Sequence, residues 1–154
     1  MKKIYLFILF LSINFGCLAL GSWLMGSGAT SEWYMGLKQA PWTPPGWVFG
    51  VAWTFIMICF SIYLTYLFSI RNSKFVIVIY TIQIILNLSW NYVFFNQHLT
   101  QLGLVIISAL MLIILYFFIT FRDDKLSKMR HLLLPYLIWL CIATSLNAYI
   151  VINN

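Results

Sequence analysis

The chain has 154 residues, 63% of them hydrophobic and only 8% charged, and a formal net charge of +6. A soluble domain carries about 25% charged residues, so this composition excludes a water-solvated globule and makes lipid the solvent. The positive balance does not indicate nucleic acid, because Lys and Arg sit in short clusters between apolar runs, the pattern that orients membrane proteins.

Five apolar segments are long enough to cross about 30 Å of hydrocarbon, which takes about 20 helical residues. They run Tyr5–Met25, Gly46–Phe68, Phe75–Asn96, Leu102–Phe121 and Leu132–Ile152. Apolar runs of this length require helices, since a lone strand leaves its backbone unpaired in lipid. The expectation is an all-α integral membrane bundle of five transmembrane helices, with residues 1–154 forming one domain. The start, Met1-Lys2-Lys3 before an apolar run, imitates a secretory signal, and Gly16-Cys17 imitates a lipoprotein site. Asn14 interrupts that run and its apolar character continues through Met25, so it is read as the first span.

Ser12 and Gly16 in this span form a small-xxx-small pair for close helix approach. The following loop, Ser27–Thr43, is too long for a tight turn. Its piece Ser31–Leu37 is expected to form a short helix capped by Ser31 or Thr30, with Glu32 placed to suit the helix dipole. The stretch Trp33–Trp53 holds three of the four prolines and four of the seven tryptophans. Pro44 and Pro45 make a rigid run into the second helix, for which Thr43 is the expected N-cap. Trp42 and Trp47 flank that turn at the depth where indoles prefer the lipid–water boundary.

The third span is the most polar. Gln83, Asn87, Trp90, Asn91 and Phe94 share one helical face, which should point into the bundle or a cavity because amides facing lipid are costly. The fourth span is nearly all aliphatic and reads as lipid-facing packing. Arg122-Asp123-Asp124-Lys125 reads as a solvated loop whose charges largely cancel. In the fifth span Trp139, Ala143, Leu146 and Asn147 share a face, and Pro135, one turn inside, is expected to bend its start. Lys2, Lys3, Arg71, Lys74, Arg122, Lys125, Lys128 and Arg130 fall on one side of the membrane and only Lys38 on the other. This asymmetry puts the N-terminus inside and the C-terminus outside a bacterial cytoplasmic membrane.

No ionisable side chain lies inside a span, which argues against a pump or proton relay. Cys17, Cys59 and Cys141 are far apart in apolar runs and read as small packing residues, with neither a disulfide framework nor a metal site. His98 and His131 lie at span ends, where an interfacial role competes with a sharper one, His98 as an iron ligand at a cavity mouth. Topology brings Trp33, Tyr34 and Pro44 to the same side as Trp53, Trp90 and Asn91, opposite Ala143 and Asn147, with Trp139 nearer the midplane. Together with Asn87 these residues are candidates to line a pocket beneath the first loop, suited to a flat, mostly apolar ligand with polar edges. The competing reading is that the same aromatics are interface belt and core.

Trp42, Pro44, Pro45, Gly46, Trp47, Phe49 and Trp53 fill the pattern Trp-x-Pro-Pro-Gly-Trp-x-Phe-x-x-x-Trp. Trp90, Phe94 and Phe95 fill Trp-x-x-x-Phe-Phe, and Pro135, Tyr136, Trp139, Ala143, Thr144, Leu146 and Asn147 fill Pro-Tyr-x-x-Trp and Ala-Thr-x-Leu-Asn. In these motifs the chain resembles the TspO/MBR family, the tryptophan-rich sensory proteins. It departs from many members at Leu104-Val105-Ile106, where they carry Leu-Val-Asp. No basic residue follows Tyr149, so the proposed cholesterol motif of animal members is incomplete. The resemblance implies binding of porphyrins (protoporphyrin IX or haem) and benzodiazepine-type ligands between these helices and the first loop, and no required cofactor. It also implies a homodimer, and it moves Trp53, Trp90 and Trp139 toward the pocket. Three functions follow from it: sensing or transport of tetrapyrroles, light-dependent porphyrin degradation using Trp53 and Trp139, or a regulatory scaffold switched by ligand.

Overall fold

The computed structural model describes residues 3–154, for Asp124 the backbone alone; Lys2, counted above among the orienting charges, lies outside the described residues. Five helices among them are long and apolar enough to cross a membrane. In chain order the helices are α1 (Lys3–Leu24), α2 (Glu32–Gly36), α3 (Gly46–Ile70), α4 (Lys74–Asn91), α5 (Thr100–Thr120), α6 (Asp124–Met129) and α7 (Leu134–Asn153). A 3-10 turn (Gly28–Thr30) precedes α2, a π-helical turn (Tyr92–Asn96) continues α4, and a second 3-10 turn (Arg130–Leu133) leads into α7. The α1 helix packs on α3 and α4, α5 lies between α4 and α7, and α7 closes the ring against α3.

Lipid tails are as apolar as leucine, so packing and buried hydrogen bonds, rather than water exclusion, hold such helices together. The centre is α3, whose Phe60, Tyr63, Leu64 and Leu67 are fully buried. The Tyr63 hydroxyl donates to the Phe117 carbonyl of α5 at 3.3 Å. Asn14 does not face lipid: its Nδ2 donates to Ser61 Oγ at 2.9 Å and its Oδ1 accepts from the Tyr80 hydroxyl at 2.8 Å. One amide thus ties α1 to α3 and α4 at mid-span.

Several local expectations are corrected. Thr43 does not cap α3; its hydroxyl donates to the Ala40 carbonyl at 2.7 Å and so closes the preceding turn, while Pro45 takes the cap position. Pro135 does not bend α7, because the helix begins there: Pro occupies the first turn, where its missing N–H costs nothing. The α5 helix is not merely lipid-facing, since Gly103, Ile107, Leu110, Ile114 and Phe117 form a buried stripe along it. At Gly103 an added Cβ would meet the Phe94 ring at 3.0 Å, so this glycine allows α5 to approach the π turn. Ser12 and Gly16 are exposed, and a Cβ added at Gly16 would meet nothing within 4 Å. The close approach of α1 is at Gly21, whose added Cβ would meet Asn91 Nδ2 at 2.9 Å. Among the cysteines only Cys59 is buried; Cys141 is exposed and Cys17 lies on the cavity described below.

At the end carrying the basic clusters, Arg71 Nε and Nη2 donate to Asp123 Oδ2 and Oδ1 at 2.6 and 2.8 Å. The segment after Asp123 is therefore a pinned short helix rather than a free loop. The Arg71 guanidinium, through its hydrogen bonds and its charge, holds the Asp123 carboxyl below the usual carboxylate range.

Candidate functional site

A cavity of about 310 Å³ opens between α1, α3 and α4 in the half of the bundle nearest the Trp-rich loop. Its α3 wall is Gly46, Phe49, Gly50, Trp53 and Thr54, a run in which the glycines leave room and the aromatics supply faces. Its α4 wall is Asn87, Trp90 and Asn91, continued by Phe95 of the π turn. The α1 wall is Cys17, Leu18 and Ser22, extended by Met25 just past the helix end, and Ala29 of the loop roofs it.

The amide face of α4 divides by depth. Gln83 is buried, and its Nε2 donates to the Tyr136 hydroxyl of α7 at 3.0 Å. Asn87 Nδ2 donates to the same hydroxyl at 3.1 Å, and Asn91 Nδ2 donates to the Asn87 backbone carbonyl at 3.0 Å. With their NH₂ groups so engaged, the side-chain oxygens of Asn87 and Asn91 remain as acceptors at the cavity. The Trp90 indole N–H donates to Asn147 Oδ1 at 3.4 Å, while Asn147 Nδ2 donates to the Ala143 carbonyl at 3.1 Å. Trp90 is thus fixed edge-on by α7 and offers a face, not a donor. Trp53 sets its ring against Tyr136, centroids 5.7 Å apart and nearly perpendicular. Among the described residues no Lys, Arg or His lines the cavity.

Four of the ten sequence-predicted pocket residues, Trp53, Asn87, Trp90 and Asn91, line this cavity. Tyr34, Ala143 and Asn147 instead meet Trp90 in a separate cleft of about 20 Å³, with Phe49, Phe94 and Phe95, too small for more than a water. Trp139 lies behind Phe49, edge to face at 5.2 Å, and is buried. Trp33 stacks on the His98 ring, centroids 4.0 Å apart, and neither lines either space. Pro44 lines neither as well; it belongs to the rigid run into α3. His98 adopts φ +58°, a left-handed conformation uncommon outside glycine but enriched in His, and its ring faces Trp33 rather than the cavity. Among the described residues no group of three His, Cys, Asp or Glu side chains is placed to hold a metal ion.

The α1 wall is not among the residues the sequence points to. Its signal in the sequence is the cluster Cys17, Gly21 and Ser22, small residues in the loop-side half of the first span, but small residues alone do not separate a cavity from a helix contact. Phe49 was visible only as part of a motif.

The loop is held as a lid. Ser31 Oγ accepts from the Tyr34 N–H at 3.2 Å, the cap expected for α2, and Gln39 Nε2 donates to the Tyr34 carbonyl at 3.1 Å. Tyr34 is buried against Phe94 and Phe95 of the π turn, and burial pushes its phenol above the usual range. Asn154 fastens the far end of the loop: its Oδ1 accepts from the Lys38 N–H at 2.9 Å and its Nδ2 donates to the Lys38 carbonyl at 3.4 Å. Trp42 donates its indole N–H to Ser145 Oγ at 3.1 Å.

Five spans around an aromatic, amide-edged cavity under a pinned loop define a multi-pass, tryptophan-rich membrane protein. Residues 7–152 match the TspO/MBR family, and the chain belongs to it. It is 35% identical over 150 residues to the Tryptophan-rich protein TspO of Chlorobaculum tepidum, covering 91% of this chain and 92% of that one. Similarity to the Tryptophan-rich protein TspO of Archaeoglobus fulgidus is 34% over 129 residues, 82% of each chain. The human Translocator protein is 30% identical over 144 residues, covering 89% of this chain and 82% of that one.

Proposed function

We propose that this protein binds a tetrapyrrole of the protoporphyrin type, or a similarly flat apolar ligand, in the α1–α3–α4 cavity, for sensing or transport. The observation that carries this is the pairing of indole faces, Trp53 and Trp90, with the two uncommitted amide oxygens of Asn87 and Asn91. Indoles stack on a flat ring, and amide oxygens accept from ring N–H groups. With no basic group on its walls, the cavity suits the uncharged ring, and carboxylate substituents stay outside it. At about 310 Å³ the cavity is at the small end of the range for ligand pockets, roughly 300–1,000 Å³, so a whole porphyrin requires the lid to lift.

The test is a titration of tryptophan fluorescence with protoporphyrin IX. Asn91→Leu should weaken binding about 5- to 30-fold, the loss of one hydrogen bond of roughly 1–2 kcal/mol, and Trp53→Phe should weaken it with a nearly unchanged melting temperature. Unchanged titrations in both variants would place the ligand elsewhere.

A second reading, light-dependent porphyrin degradation, draws support from Trp53 standing on the cavity wall. It assigns Trp139 an indirect part, since Phe49 lies between that ring and the cavity. Bleaching of bound porphyrin that requires both light and Trp53 would favour it. The scaffold reading is favoured only if a surface variant with intact ligand binding loses function. We further propose a homodimer, supported by the exposed Ser12/Gly16 pair on α1, and a bacterial cytoplasmic membrane location with the C-terminus outside.

A further inference from the structure

A second concave surface lies on the other half of the bundle, between the outer faces of α1 and α3, with a volume of about 290 Å³. It is separate from the cavity above and shares no lining residue with it. Its walls are Ile4 and Phe7 from α1 and Ile62, Thr65 and Tyr66 from α3, with Lys3 at one end. Thr65 presents no free donor there, because its hydroxyl donates to the Ser61 carbonyl at 2.8 Å. The groove's polar groups are thus gathered at one end: the Lys3 ammonium, 4.4 Å from the centre of the Tyr66 ring, and the Tyr66 hydroxyl. The ring face steadies the ammonium without neutralising it, and among the described residues no carboxylate pairs with it.

We infer that this groove is a binding site for one anionic phospholipid, such as a phosphatidylglycerol. The argument is from the order of chemistry along it. An apolar trough running toward the membrane interior takes an acyl chain, and a cation with a neighbouring hydroxyl at the helix terminus takes a phosphate at headgroup depth. Lys3 is the one charged side chain among the described residues that line the groove. Arg71, a cation at the same end of the bundle, is committed to Asp123 through two hydrogen bonds. A zwitterionic lipid fits the trough equally well but brings an ammonium of its own toward Lys3, so the site discriminates by headgroup charge.

The experiment uses the full-length protein in vesicles of phosphatidylcholine containing a minority of phosphatidylglycerol. The photocrosslinking amino acid benzoylphenylalanine replaces Phe7 in one protein and Ile138, on the exposed face of α7, in another. Crosslinking at position 7 should capture phosphatidylglycerol well above its share of the bilayer, and at position 138 in proportion to it. Lys3→Gln should lower the enrichment at position 7 about fivefold, the value of one lysine near an anionic lipid surface. Lys3→Arg should retain it, and Lys125→Gln should leave it unchanged. Capture at position 7 that follows bulk composition would overturn the assignment. So would an enrichment that Lys3→Gln leaves intact, or one that Lys125→Gln lowers equally, which would mean a diffuse field rather than a site.

Discussion

Gly21 and Asn14 show how much of this molecule turns on single polar or absent side chains of the first span. At Gly21 the missing Cβ makes the space that Asn91 occupies. Gly21→Ala should displace the Asn91 amide from the Asn87 carbonyl and into the cavity. Protoporphyrin affinity measured by fluorescence should then fall several-fold while helix content by circular dichroism stays the same; unchanged affinity would mean that Asn91 does not set the ligand position. At Asn14 the amide is the acceptor for a buried phenol. Asn14→Leu leaves the Tyr80 hydroxyl without its partner in an apolar interior, at a cost of about 1–3 kcal/mol. A thermal or detergent-denaturation series should register that loss, and Tyr80→Phe in the same background should recover part of it. A polar residue in a hydrophobic span is easily noticed in a sequence. Which hydroxyls answer it, Ser61 47 positions away and Tyr80 66 positions away, is a matter of helix arrangement alone.

At the scale of elements, the π turn after α4 and the loop before α3 act together. A widened turn lets the consecutive residues Phe94 and Phe95 both turn inward, and Tyr34 of the loop settles on the pair. The loop is then fastened at Lys38 by Asn154. Asn154→Ala should loosen the lid without touching the cavity, so protoporphyrin should dissociate faster and amide exchange should rise over residues 31–40. Equal dissociation rates would show that the Tyr34 contacts alone hold the loop. At the opposite end the Arg71–Asp123 pair joins the turn after α3 to the turn before α6. The Asp123 carboxyl is held below its ordinary value, so the pair contributes stability above that value, and the contribution is lost as pH falls through the lowered one. The melting temperature should carry no contribution to its pH dependence from this pair between pH 7 and about pH 5, and should fall below about pH 4. Asp123→Asn should abolish that acid-side drop. Neither the π turn nor this pair was legible in the sequence: the first breaks a regular period without a Gly or Pro to announce it, and the second depends on two loops meeting.

Among the concavities of this ring of five spans, two are unlike in chemistry, an aromatic one near the Trp-rich loop and an apolar one with a basic rim at the other end. The eight-to-one distribution of Lys and Arg predicts that the rim faces the cytoplasm. A reporter fused after Asn154 should therefore be active only if it is a type that works outside the cytoplasm. Activity of a cytoplasmic-type reporter there would reverse the orientation. If the exposed Ser12/Gly16 pair joins two copies, mass measurement in nanodiscs should find a dimer that Gly16→Leu weakens without unfolding the monomer. Only monomer across a concentration series would remove the proposal.

The sequence by itself determined the solvent, the number of spans, the family motifs and the rigid Pro-rich approach to α3, because length, hydropathy and proline geometry are local properties of the chain. It also marked the α4 amide face as inward, since lipid tolerates no other placement. Only the tertiary structure decided which inward residues meet an empty space. Trp53 and Trp90 are on the cavity while Trp139, equally aromatic and equally part of a motif, is screened by Phe49. The α1 wall, built of Cys17 and Ser22 around Gly21, carries no pattern that periodicity distinguishes from ordinary helix packing. A cavity is a shortfall of atoms between elements distant in the chain, and it exists only once those elements have taken their places.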